Sequence, residues 1–243
     1  MVDRSMLIPA AVAGVLVAGG LAVGGWAIGL GVINARVGDR AVTVRGLSER
    51  EVKADLAVLP LKFTATGEEL TAVQTAVDAE AATVTRFLLG QGFKREEIDL
   101  GRLTVSDARS KEYGQQNNGA PRFILSQEIN VRTGDVERVQ ETTRKLGDLV
   151  RQAVVLQDFG GPNYIFTKLN GVRPTMIAEA TASARTGAAQ FARDSGASLG
   201  GIQEATQGSF EILPRDDMGE GGSQAQSVWK KLRVVTTVKY RLR

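Results

Sequence analysis

From Met6 to Ile33 the chain carries no charged side chain. A membrane-spanning helix needs about 20 predominantly apolar residues, whereas the apolar region of a secretory signal runs to only about 7–15. The stretch is too long for a simple signal, and Ile33-Asn34-Ala35 is a poor small-x-small cleavage site. Soluble helices of this length are rarely apolar all round. The expectation is one uncleaved transmembrane helix, dividing the chain into an anchor over residues 1–37 and a globular domain over residues 38–243. Gly20 and Gly24, then Gly25 and Gly29, are each four apart. That spacing lets helix backbones approach closely in lipid, so these four glycines are the candidate helix-packing residues of the membrane segment. Trp26 and Arg36 suit the interface at its C-terminal end.

The rest of the composition excludes more than it suggests. Cys and His are both absent. This removes thiol nucleophiles, disulfides, Ser-His and Cys-His pairs, and every thiolate or imidazole metal site. Carboxylates, Lys, Arg, Tyr and hydroxyls are left to do any chemistry. The net charge of +3 is local in origin: residues 228–243 hold six Lys or Arg and no acid, leaving 24 basic against 27 acidic side chains elsewhere. A nucleic-acid binder spreads a basic surface over its domain, so that class is set aside.

Past the anchor, residues 41–46 and 53–66 read as strands, with Pro60 marking an edge or a bulge. A helix follows from Glu68, where Leu70, Val73, Val77, Ala81, Val84 and Leu88 keep the spacing of one buried face. Glu97–Tyr113 reads as a strand, 114–119 as a polar turn and Arg122–Thr133 as a further strand. Asp135–Ala153 is a second amphipathic helix, with Asp135 placed where the helix dipole favours an acid. A short strand at Asn163–Leu169 precedes a third helix over about Pro174–Ser195, Pro174 suiting its first position. Its predicted inner face is Ile177, Ala180, Ala184, Ala188, Phe191 and Ser195. Residues 202–213 form another strand, and 214–227 a Gly-rich loop.

The final strand, Val228–Arg243, alternates. Leu232, Val234, Val238, Tyr240 and Leu242 form its apolar face; Lys231, Arg233, Lys239, Arg241 and Arg243 form a basic one. Such a strand must pair over its length or lie exposed as an edge. The basic face admits contact with anionic lipid headgroups, or protection of an edge from unwanted strand addition. Together these elements predict an α+β domain with a mainly antiparallel sheet and about three packed helices, preceded by one transmembrane helix.

This order, with two particular motifs, resembles the SIMPL domain family of bacterial envelope proteins. One motif is Val42-Thr43-Val44-Arg45-Gly46, a strand ending in Gly. The other is the helix Glu179-Ala180-x-x-x-Ala184-x-x-x-Ala188-x-x-x-Ala192, which exits through Gly196 to Leu199-Gly200 and is preceded by Tyr164-Ile165-Phe166. Members usually carry a Pro-Asp pair before the second strand, where this chain has Ala54-Asp55. The resemblance covers roughly residues 41–243. It implies a periplasmic or membrane-associated protein, and some members form ring-like or cage-like homo-oligomers. Five basic residues from Arg36 to Lys53 follow the anchor against Arg4 alone before it, which would place the domain in the cytoplasm; the resemblance favours the periplasmic side. An Ala every fourth residue also reads plainly as a smooth face for close packing.

No phosphate-binding, nucleophile-elbow or metalloprotease motif occurs. The densest acidic cluster, Asp216-Asp217 with Glu220, lies in a Gly-rich loop and reads as solvated. No catalytic, cofactor-binding or metal-ligating residue is nominated, and an enzyme is not expected. The expected function is a membrane-anchored structural or scaffolding homo-oligomer in the inner membrane, its partners being copies of itself and the lipid bilayer, with no nucleic acid. The rival is an envelope enzyme or small-ligand binder working through carboxylates or Arg, with a stress response as one setting.

Overall fold

A computed structural model describes residues 18–27, 40–109, 121–216 and 224–243. Residues 18–27 are helical, and all are exposed. The remainder of the uncharged stretch, including Gly29, lies outside the described residues, as does the 114–119 turn. Among the described residues no helix is long and apolar enough to cross a membrane.

The elements run β1 (Ala41–Lys53), β2 (Leu56–Gly67), α1 (Leu70–Gly90), β3 (Ile98–Asp107), β4 (Phe123–Thr133), α2 (Val136–Arg144), α3 (Gly147–Arg151), β5 (Asn163–Ile165), α4 (Leu169–Asp194), β6 (Leu199–Gln207), β7 (Glu211–Pro214) and β8 (Trp229–Leu242). The mixed α and β content and the antiparallel pairing agree with expectation. Four labelled helices replace the expected three. The chain divides into two compact units, one of residues 1–48, 177–209 and 234–243, the other of residues 49–176 and 210–233.

In the second unit a four-stranded sheet runs β3-β4-β2-β5. Strand β2 pairs antiparallel with β4 from Ala57↔Thr133 to Gly67↔Phe123, and with β5 at Leu56–Val58. Pro60 lies beyond the β5 ladder, where that side of β2 asks for no N–H donor. Alternation puts Leu59, Leu61, Phe63, Leu125, Ile129 and Val131 on the inner face, each wholly buried. Helix α1 covers them with Val73, Val77, Val84 and Leu88, while Leu70 stays 42% exposed. Asp135 caps α2, its carboxylate accepting from the Arg138 amide at 3.0 Å.

The expected helix over 135–153 is two helices. Thr142 and Thr143 turn their hydroxyls back on the carbonyls of Arg138 and Val139, both at 2.8 Å. Such back-bonding bends a helix, and Lys145-Leu146 then separates α2 from α3. Leu146 and Leu149 remain buried, but Val150 is turned outward.

In the first unit the strand order is β1-β8-β6. Strand β6 pairs antiparallel with β8 from Leu199↔Leu242 to Gln207↔Thr236, with two irregularities near Ile202. Val42, Val238 and Tyr240 form its core with Ala184 and Ala188 of α4. The strand expected over 202–213 is two strands, divided at Gly208, whose amide donates to the Val235 carbonyl at 2.8 Å. Helix α4 begins at Leu169, so Pro174 lies inside it rather than at its start, removing one backbone donor. Its buried row is Met176, Ala180, Ala184, Ala188 and Ala192. Phe191, expected inward, is 52% exposed.

The terminal strand is central in its sheet. It has β1 on one side, β6 on the other and β7 joining it at Lys230–Arg233. No second copy is needed to complete its ladder, and the edge-protection reading of its basic face fails. Ending the chain after Val234 should abolish cooperative thermal unfolding of the first unit, because β6 loses its ladder. Circular dichroism melts and limited proteolysis would detect this, and an unaltered transition would contradict the central placement.

Candidate functional site

The two motifs that identify the sequence meet in the first unit. A Cβ built on Gly46 would lie 1.9 Å from the Ala180 carbonyl oxygen, 2.4 Å from the Ala184 nitrogen and 2.8 Å from the Ala184 Cβ. Only glycine fits there, because two of the three obstructing atoms are helix backbone. The Ala row supplies the complementary surface: methyl groups keep good helix propensity and let the helix lie against β1. Two residues on, the buried Ser48 donates its hydroxyl to Glu179 at 2.7 Å. A hydrogen bond to a charged acceptor contributes about 1.5–3 kcal/mol. Gly46, Glu179, Ala180 and Ala184 are thus all engaged in one seam.

Asp55, the acidic member of the pair before β2, closes a turn in the second unit. Its carboxylate accepts from the Thr167 amide at 2.7 Å and the Thr167 hydroxyl at 2.9 Å, with Lys168 at 3.7 Å. The Asp55 amide donates to the Ile165 carbonyl at 3.1 Å, and the Ala54 amide to that of Val228 at 2.9 Å. The expected Pro could not donate at position 54, so Ala gains this hydrogen bond. Desolvation pushes the Asp55 pKa up, but the Thr167 hydrogen bonds and Lys168 outweigh it and hold the carboxyl below its ordinary range.

The nominated membrane residues fall in two places. Gly20, Gly24 and Gly25 lie on the 18–27 helix, where a Cβ on any of them would meet nothing within 4 Å. Of the basic residues, Lys231, Arg233, Lys239 and Arg241 share the outer face of β8, with Arg243 just past its end. Lys239 stands opposite Glu204 in the β6 register. Arg233 stands opposite Glu211 and has its Nε 3.6 Å from Glu49. Cross-strand pairs of opposite charge stabilise a sheet, so this stripe is partly neutralised by its own neighbours. Within the acidic cluster, Asp216 is held by Arg215 at 2.8 Å; Asp217 and Glu220 lie outside the described residues.

One buried cation escaped the sequence reading. Lys230 is 2% exposed, on the inner face of β8 beside Leu232. Its ammonium donates to the carbonyls of Gln224 and Ala225, pinning the 3-10 turn at Gln224–Gln226, and desolvation lowers its pKa. The signal was available, since Lys230 continues the even-numbered inner row of Leu232, Val234 and Val238.

These features define an α+β protein whose most recognisable residues make a close-packed seam and a strand-end clasp. A model of the SIMPL family, described as a protein of unknown function (DUF541), matches residues 42–240, and the chain belongs to that family. No curated protein matches the chain.

Replacing Gly46 with Ala should cost at least about 3 kcal/mol, because the clash is with backbone that no rotamer change relieves. The exposed Thr43→Ala should fall within about 0.5 kcal/mol of wild type in the same urea titration. Asp55→Ala should cost about 1–3 kcal/mol at neutral pH. A carboxyl whose folded pKa is lowered stabilises fully above its unfolded pKa and loses that contribution as the pH falls through the folded value. The gap between wild type and D55A should therefore close below the ordinary carboxylate range, as read from urea midpoints against pH.

Proposed function

We propose that the chain is a membrane-anchored envelope protein, held in the inner membrane by the segment within residues 6–33, with its SIMPL domain in the periplasm as a structural or scaffolding homo-oligomer. The observation that carries the anchor is the exposure of an apolar helix: Leu21, Val23 and Trp26 are 73%, 66% and 69% exposed, with no charged residue from Met6 to Ile33. Apolar surface of this kind is stable in lipid and costly in water. A scaffolding role is supported by how the motif residues are used. Gly46, Ser48, Asp55, Glu179, Ala180 and Ala184 all go into packing or clasps that hold the domain together.

The sheet edges support one seat for such assembly. Strand β3 closes one edge of its sheet, and Leu100, Leu103 and Val105 on it are exposed. An apolar edge with unpaired backbone groups is a template for a second strand, so self-association is assigned to β3 rather than to β8.

The full chain should stay with membranes in alkaline carbonate, and its release would refute the anchor. A cysteine at the exposed Gln203 should react with an impermeant maleimide once the outer membrane alone is permeabilised; labelling only after inner-membrane lysis would reverse the topology. Light scattering of the detergent-solubilised chain should give several subunits, falling to one in the Leu100→Lys, Leu103→Lys double variant. A monomeric wild type would overturn the scaffold.

A further inference from the structure

A cleft of about 360 Å³ opens in the second unit between α2, the β5 segment and the 3-10 turn at Gln224–Gln226. Gln140, Thr143 and Arg144 line it from the helix, Pro162 and Tyr164 from the strand side, and Gln226 from the turn. Its volume falls within the range of small-molecule sites, about 300–1,000 Å³. Its lining mixes apolar surface with the polar groups of Gln140, Thr143, Arg144, Tyr164 and Gln226.

Three of these side chains have unspent hydrogen-bonding capacity. Tyr164 is 5% exposed, and its hydroxyl has no hydrogen-bond partner among the described residues. Arg144 forms no ion pair among the described residues, whereas nine other Arg or Lys side chains of the second unit have carboxylate partners. Gln226 uses its amide nitrogen on the Gly160 carbonyl, which holds its side chain in the wall and leaves its amide oxygen free to accept. The wall itself is fixed, since the buried Lys230 ammonium anchors the same turn through the carbonyls of Gln224 and Ala225.

We propose that this cleft binds a small polar ligand through a carboxylate, with Arg144 as the ion-pair partner, the Tyr164 hydroxyl as a second donor and the Gln140 and Gln226 amides reading the adjoining polar group. A single guanidinium matches a single negative charge, and its planar fork fits a carboxylate. A phosphate dianion would leave a charge uncompensated. Burial raises the Tyr164 pKa, which keeps the phenol protonated as a donor across the neutral range. The carboxylate could belong to a free hydroxy acid or to a peptide C-terminus, since both place a hydrogen-bonding group beside the acid.

The test is calorimetric titration of the full chain in detergent with lactate and with Ala-Ala, using the Ala-Ala amide, which lacks the carboxylate, as the control. At least one carboxylate should bind with Kd below about 5 mM. Binding of Ala-Ala alone identifies a peptide terminus, and binding of lactate alone a hydroxy acid. The amide should bind at least tenfold more weakly. Arg144→Gln should weaken the carboxylate at least tenfold and Tyr164→Phe severalfold, the latter keeping the ring that packs beneath the cleft. Failure of both carboxylates to reach this affinity overturns the proposal. So does equal binding of the amide, or unchanged affinity in an R144Q chain whose melting temperature matches wild type.

Discussion

The contact between Gly46 and the Ala180–Ala184 stretch of α4 sets the geometry of the first unit. A strand and a helix approach so closely there that no side chain separates them, only a hydrogen on one side and methyl groups on the other. Close approach increases dispersion contact per residue, and it demands small residues at fixed positions on both elements. The four-residue repeat follows from this constraint: the i±4 row is a ridge on a helix surface, and a ridge of methyls is low enough to lie against β1. Phe191 is excluded for the same reason. Its turn of the helix falls beside that row, and its ring projects into solvent.

Around this seam the chain uses its ends economically. Strand β8, the last in sequence, is central in its sheet, so β6 and β7 depend on residues synthesised after them. The ladder from Leu199↔Leu242 to Gln207↔Thr236 forms only once residues up to Leu242 are in place. The long-range pairs Ser48–Glu179 and Asp55–Thr167 likewise join distant parts of the sequence within each unit. Pairings of such separation are slow to form and cooperative once made.

Much of this was legible in the sequence, for physical reasons that can be named. Alternation in β8 and the apolar spacing in α1 are direct consequences of periods of 2 and 3.6, and both elements appear within a few residues of expectation. Strand order is not encoded in periodicity, so alternation left open whether β8 pairs over its length or lies at an edge, and β1 and β6 supply the pairing. The helix expected over 135–153 failed where local side-chain bonding from Thr142 and Thr143 competed with the backbone, a feature that apolar spacing ignores. Gly46 and the Ala row were each visible as motifs, but only the fold shows that they touch. The Tyr164–Arg144 cleft had no signal at all, because its walls come from three separate stretches of chain.

The central claim is that the motif residues of this family act together as one packing seam on which the first unit depends. Native-state hydrogen exchange tests it most directly. The amides of Ala184 and Ala188 in α4 should exchange only through the same opening as those of Val238 and Tyr240 in β8, with a common free energy and a common denaturant dependence. Gly46→Ala should lower both by the same amount. Rapid local exchange along α4 while β8 remains protected would show that helix and sheet are separable, and would contradict the account.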